Sequence, residues 1–197
     1  FQRWDDRDAQ TGQALAAAGR SLQADKLNPA AHWAMGRALW LAGEPTEAVH
    51  ALEQSVELSP NYALGHYSLA FIHSQAGDPD PAIAASDHSR LLSPCDPLLF
   101  GMLGARAMAL VRLGRFEEAA EWGTRAASRP NAHVHILAIA AHCLALAGQV
   151  DEARGLAARI RRQDQRYDVA RFLDTFRFDK DIRSLYRDAA RRIGLTP

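Results

Sequence analysis

Residues 86–90, Ser-Asp-His-Ser-Arg, hold the side chains of a hydrolytic triad: a hydroxyl to attack, an imidazole to take its proton and a carboxylate to orient the ring. That chemistry needs all three groups to converge on one substrate atom. Consecutive positions on a helix turn about 100° apart, so Asp87, His88 and Ser89 diverge and no nucleophile is expected here. Eight histidines raise the next question, metal binding. His133 and His135 are two residues apart and point to different sides of a helix. His66 and His73 share a face but fall where side chains pack inside the fold. The chain has neither an HExxH pair nor a Cys/His tetrad, so no metal is expected.

The paired acids Glu117 and Glu118 have the composition of an acid–base site. They also open a predicted helix, where carboxylates complement the backbone dipole, and that reading is preferred. The densest basic run, residues 159–166 (RIRRQDQR), and Arg191-Arg192 invite a nucleic-acid or acidic partner. Arginines at a helix C-terminus answer the dipole equally well, so a solvated helix end is expected. With no phosphate-binding loop and no glycine motif following a strand, neither a cofactor nor catalysis by this segment is expected.

The bulk numbers agree. The 197 residues are 48% hydrophobic, enough to bury a core, and Lys+Arg and Asp+Glu count 23 each, so no global field favours nucleic acid or an anionic membrane. Residues 150–197 carry 12 basic and 8 acidic side chains, a net +4, which leaves −4 on residues 1–149. Two cysteines, Cys95 and Cys143, give no disulfide framework and suit a reducing cytoplasm. The most apolar stretch, residues 134–147, contains His135 and His142 and is too short to span a bilayer, so a helix buried on both sides is expected. Opening on Phe1, the chain is expected to be a piece of something longer or a processed form.

What must position any site is a period. Shifted by 34, the chain matches itself: Gly43 falls on Gly77, Ala48 on Ala82, Leu58 on Leu92 and Pro60 on Pro94, so Leu-Ser-Pro recurs at the end of two helix-like runs. LGRFEEAAEW and AGQVDEARGL continue the register around Gly114 and Gly148. Each unit reads helix, turn, helix. A small residue recurs in the first helix (Gly36, Ala70, Ala107, Ala141), a glycine in the turn, and an alanine in the second helix (Ala48, Ala82, Ala119, Ala153). Two antiparallel helices approach closely only where neither presents bulk, which explains the small pair. Alanine is abundant, 38 of 197, so one match means little; glycine and alanine agreeing in four units means much. Pro45 and Pro79 fit first turns, and Asp78 an N-cap.

These positions resemble the tetratricopeptide repeat (TPR) family over residues 29–163, and the resemblance implies an all-α, right-handed solenoid. The expected layout is a half-repeat at 1–28, with residues 1–8 frayed, and repeats at 29–62, 63–96, 97–133 and 134–166, closed by capping helices over 167–197. The pattern departs in places. The early aromatic of the first helix is replaced by His32, His66, Leu103 and Leu137, and three residues are inserted after Pro94, so Pro97 is expected to restart the helix and kink the superhelix. A helix over about 167–175, an Asp179 cap and a left-handed Gly194 with Leu195 folding back are expected in the tail. LSPCDPLLF, LGRFEEAAEW and the tail FRFDKDIRSLYRDAARRIGL also resemble the C-terminal repeats of bacterial regulators that follow an adenylate cyclase or a winged-helix DNA-binding domain. Neither cyclase aspartates nor a recognition helix is present in this chain.

In such an array the first helices line the concave face, which here implies Trp33, Arg37, Trp40, Tyr67, Phe71, Gln75, Met108, Arg112, His135 and His142. Aromatics with a guanidinium and an amide can hold an extended peptide or a partner domain. The alternative is that some of these rings pack between repeats, or that the groove holds the protein's own tail. The expected role is a non-catalytic interaction module of a multidomain bacterial regulator, without direct nucleic-acid or membrane contact. Self-association, a cyclase's regulatory part and a small-molecule sensor are the alternatives.

Overall fold

The computed structural model describes residues 6–196. The expected frayed stretch falls partly outside them; of the rest, residues 7 and 8 are already helical. Among the described residues there are eleven helices: α1 Arg7–Ala24, α2 Pro29–Ala42, α3 Pro45–Leu58, α4 Ala63–Ala76, α5 Pro79–Leu92, α6 Leu99–Arg112, α7 Phe116–Ala127, α8 Val134–Leu146, α9 Val150–Gln163, α10 Val169–Thr175 and α11 Lys180–Ile193. There is no strand among the described residues. The pairs α2–α3, α4–α5, α6–α7 and α8–α9 form hairpins, and each hairpin leans on the next. Their first helices also touch in sequence, α2 on α4, α4 on α6 and α6 on α8, and so build one continuous inner wall.

The small positions do what close approach requires. A Cβ on Gly36 would lie 2.6 Å from Leu52 Cγ and 2.9 Å from the Ala48 carbonyl oxygen, so α2 and α3 touch backbone to side chain there. Ala48, Ala70, Ala82, Ala107, Ala119, Ala141 and Ala153 are all fully buried. Gly43, Gly114 and Gly148 end their helices with positive φ, but Gly77 is extended. Glycine is needed there for room, because a Cβ would crowd the His73 ring and backbone. Where the early aromatic is missing, histidine takes over. The Nε2–H of His32 donates to the Lys26 carbonyl at 2.9 Å, and that of His66 to Pro60 at 2.8 Å, each clamping the preceding turn.

Pro97 does not restart its helix. It sits in a turn, and α6 begins at Leu99. Asp96 organises that turn, accepting from the Leu98 N–H at 2.8 Å and the Ser93 hydroxyl at 3.0 Å. The apolar stretch is α8, buried without a break from His135 to Ala145.

The tail departs most from a simple end cap. Its caps form as read: Asp179 accepts from the Ile182 N–H at 3.0 Å, Gly194 is left-handed, and the Leu195 carbonyl accepts from Val169 N–H at 2.8 Å. α11 packs on α8 and α9. Residues 176–179, however, turn back across the concave side. There Phe176 meets Phe71 with centroids 6.1 Å apart, and the Arg177 N–H donates to Gln75 Oε1 at 2.8 Å. Phe172, Phe176, Phe178 and Tyr186 join the core of the C-terminal repeats, whereas the N-terminal repeats share a smaller core around Trp40, Leu52, Leu69 and Ile72.

Candidate functional site

The residues 86–90 separate as helix geometry requires. Asp87 pairs with Arg90 and Arg106, which lie with Arg125 around the Trp122 ring at 5.3, 4.5 and 4.9 Å. His88 meets His66 edge-on, and the Ser89 hydroxyl donates to the Ser86 carbonyl. Glu118 receives two hydrogen bonds from Arg115, at 2.6 Å each, which hold its carboxyl below the usual range and away from acid–base work near neutrality. Among the described residues no group of three His, Cys, Asp or Glu side chains could hold a metal ion.

The concave wall instead encloses a cavity of about 390 Å³. From α2 come Arg37 and Trp40; from α4, Tyr67 and Phe71; from α6, Phe100, Gly101, Ala105 and Met108; from α8, His135, Ile136 and Ile139. Gln10, Leu41 and His133 complete the rim, and Thr175 and Phe176 of the tail close one side. Sequence shapes this wall directly. Gly101 is a glycine because a Cβ there would overlap the Tyr67 hydroxyl, so the phenol lies across α6. Trp40 and Phe71 meet edge to face at 5.0 Å, and Arg37 lies over both rings, its Cζ 5.8 Å from the Trp40 centroid and 5.3 Å from Phe71.

Among the described lining residues the titratable side chains other than Arg37 are neutral at pH 7. Burial raises the Tyr67 phenol, so it stays neutral despite Arg37 beside it. Burial likewise lowers His135 to about 4 and lowers His133, so both rings are neutral at pH 7. The His135 Nδ1 is 2.7 Å from the Tyr167 hydroxyl. Arg37 is the one charged side chain among the described lining residues, and its Nη1 is buried without a hydrogen-bond partner.

Six of the ten expected concave residues line this cavity: Arg37, Trp40, Tyr67, Phe71, Met108 and His135. The other four lie elsewhere. Trp33 packs between repeats, its indole N–H donating to the Ser68 hydroxyl at 2.9 Å and its ring edge-on to Tyr62. Gln75, Arg112 and His142 are taken up by the tail. Arg112 donates to the carbonyls of Gln75 and Gly77 and pairs with Asp179, and His142 stacks on Phe172 at 4.5 Å. Phe100, Gly101, Ile136, Ile139 and Phe176 were not anticipated. The spacing of Gly101, Ala105 and Met108 along one face of α6 is the signal that could have found Gly101.

A tetratricopeptide repeat model matches residues 7–63 and 34–87. No curated protein matches the chain. Among solved structures it is similar to TTC0263, a thermophilic TPR protein of Thermus thermophilus, at 19% identity and a TM-score of 0.68, over 92% of this chain and 91% of that one. It is similar to YrrB, a TPR protein with an unusual peptide-binding site, at 16% identity and 0.60, over 90% of each chain. A third is MamA, at 17% identity and 0.63, over 84% of this chain and 96% of that one. Such identities establish the fold. Residues 7–87 match the tetratricopeptide repeat by sequence, and the later hairpins carry on the same all-helical repeat fold.

Proposed function

We propose that the chain is a non-catalytic interaction module that holds a peptide or a partner domain on its concave face. The observation that carries this is the open cavity of about 390 Å³ walled by Trp40, Tyr67, Phe71 and Phe100. An aromatic hollow on a rigid wall is suited to an apolar anchor side chain. The peptide-binding site of YrrB gives the same fold a precedent for such use. Phe176 lies between Phe71 and His135, and Arg177 reaches over Trp40 to the Leu41 carbonyl and Gln75, so the tail closes one side of the hollow and narrows where an anchor can enter. A second copy of the chain is the other partner of this kind, and neither nucleic acid nor membrane belongs to the reading. No helix among the described residues is long and apolar enough to cross a membrane.

The regulator setting, with an adenylate cyclase or winged-helix domain in the same protein, rests on residues 92–100 and 113–122 and on the tail phrase alone. A cytoplasmic location is consistent with two unpaired thiols, Cys95 and Cys143. In this reading any turnover would belong to another domain.

Panning a random peptide library against the whole chain should enrich sequences with one bulky apolar anchor. Phe71→Leu keeps apolar packing but loses the ring, and should weaken an enriched peptide severalfold. A library that yields no binder, or binders indifferent to Phe71, would refute the reading.

A further inference from the structure

We propose that the deep part of the concave cavity is a binding site for a small carboxylic acid with an apolar body, its carboxylate on Arg37 and its body against the rings. This goes beyond the interaction reading and needs no macromolecular partner.

The first ground is the state of Arg37. Its guanidinium plane is engaged by the faces of Trp40 and Phe71, at 5.8 and 5.3 Å. Contacts of that kind hold the plane and leave the in-plane N–H groups to be satisfied by something else. No described residue does so for Nη1, which is buried without a hydrogen-bond partner. A buried donor without an acceptor is a standing penalty, removed when an acceptor enters the cavity and the side chain turns to meet it. A carboxylate meets the guanidinium fork with two parallel hydrogen bonds, the strongest complement available to it.

The second ground is charge balance. No described lining residue is an Asp or Glu, and the nearby histidines are neutral at pH 7, so the one charge of the described lining is Arg37, set among apolar walls. A monoanion neutralises it. A phosphate dianion would bring more charge and more acceptor oxygens than a single guanidinium can serve, an amine would be repelled, and a neutral apolar ligand would leave Nη1 as it is. The remaining walls, Phe100, Met108, Ile136 and Ile139 among them, ask for hydrocarbon or an aromatic ring. About 390 Å³ lies in the range of small-molecule sites.

The test is isothermal titration of the whole chain with 4-phenylbutyrate and octanoate, each beside its uncharged amide. Both acids should bind, and the amides should bind roughly tenfold more weakly or worse, as expected for loss of a charge-assisted pair. Arg37→Leu should bring the acids down to the level of the amides; Arg37→Lys should fall between. The acid–amide comparison uses the unaltered chain and does not depend on a variant folding. Failure of both acids to bind at millimolar concentration would overturn the proposal, as would equal affinity for acid and amide or indifference to Arg37→Leu. A Phe-ended peptide, with free and amidated C-terminus, forms a third arm. If it binds through its free carboxylate while neither small acid binds, the site belongs to a peptide and this proposal fails while the interaction reading stands.

Discussion

Acidification should loosen this protein through His142, and replacing that residue by leucine should remove a measurable part of the effect. The ring is fully buried on α8, stacked on Phe172 at 4.5 Å and edge-on to Tyr186 at 5.4 Å. Its Nδ1–H donates to the Ala138 carbonyl at 2.6 Å, within its own helix, and Nε2 has no partner. A second proton would therefore put an unpaired charge among rings. Burial lowers the group from 6.5 to about 4. At 1.36 kcal/mol per pH unit, that difference amounts to about 3 kcal/mol.

The sign follows from which state takes the proton. The unfolded chain protonates this imidazole as pH falls through 6.5, whereas the folded chain resists until about 4. Its contribution to stability is thus intact above 6.5, shrinks between 6.5 and 4, and is gone below that. By about pH 4.5 roughly 2.5 kcal/mol should have been lost through this residue. His135, also lowered to about 4 by burial, and His66, His73 and His133, lowered in the same direction, add to the wild-type loss. Comparison with His142→Leu isolates one share. Urea unfolding followed by circular dichroism at pH about 7.5 and about 4.5 measures both losses. The variant should stay within about 1.5 kcal/mol of wild type at the higher pH, because leucine fills the site without a polar group. Its loss on acidification should be smaller by about 2 to 3 kcal/mol. Equal losses in the two proteins would show that His142 does not resist protonation in its site, and the reasoning would fail.

Two further predictions concern packing and the strap, residues 176–179, that crosses the concave side. Gly36→Ala should destabilise by roughly 1–3 kcal/mol in thermal unfolding, because its Cβ meets Leu52 and the Ala48 backbone, while the same change at the open Gly155 should not destabilise. Burial opposes ionisation of Asp179, yet its bonds from the Ile182 N–H and Arg112 hold its carboxyl below the usual range. Asp179→Asn, which can still cap α11, should cost under about 1 kcal/mol, and Asp179→Ala about 1 kcal/mol more. Faster amide exchange over residues 176–182 in the alanine variant alone would show that the cap, not the ion pair, holds the strap.

The architecture was readable because its signal is steric and repeated. A glycine or alanine must stand wherever two helices touch, and the chain states that requirement four times. The site was readable only in part. The resemblance to a tetratricopeptide array assigns Arg37, Trp40, Tyr67, Phe71, Met108 and His135 to the inner wall, and those positions line the cavity. It could not tell that Trp33 turns to Ser68, since a few tens of degrees of helix rotation decide between groove and repeat contact. Nor does any period announce that a tail returns. Gln75, Arg112 and His142 have the right phase to face a ligand, and what they face is the strap, a contact spanning up to 102 residues of sequence.

That return explains why the cavity lies where it does. The large core runs from α6 to the end of α11, and the small one sits between α2 and α4. Phe71 packs against both. The cavity opens at this seam, with Arg37 and Trp40 on one side and Phe100, Ile136 and Ile139 on the other. The strap already joins the two halves in miniature, through Arg177 to the Leu41 carbonyl and to Gln75. Whatever fills the cavity adds contacts across the same seam and must stabilise the joined arrangement by its own binding free energy. The N-terminal repeats have the smaller core, so they stand to gain most. A binder at this position would therefore act on how firmly the first two hairpins are held to the rest.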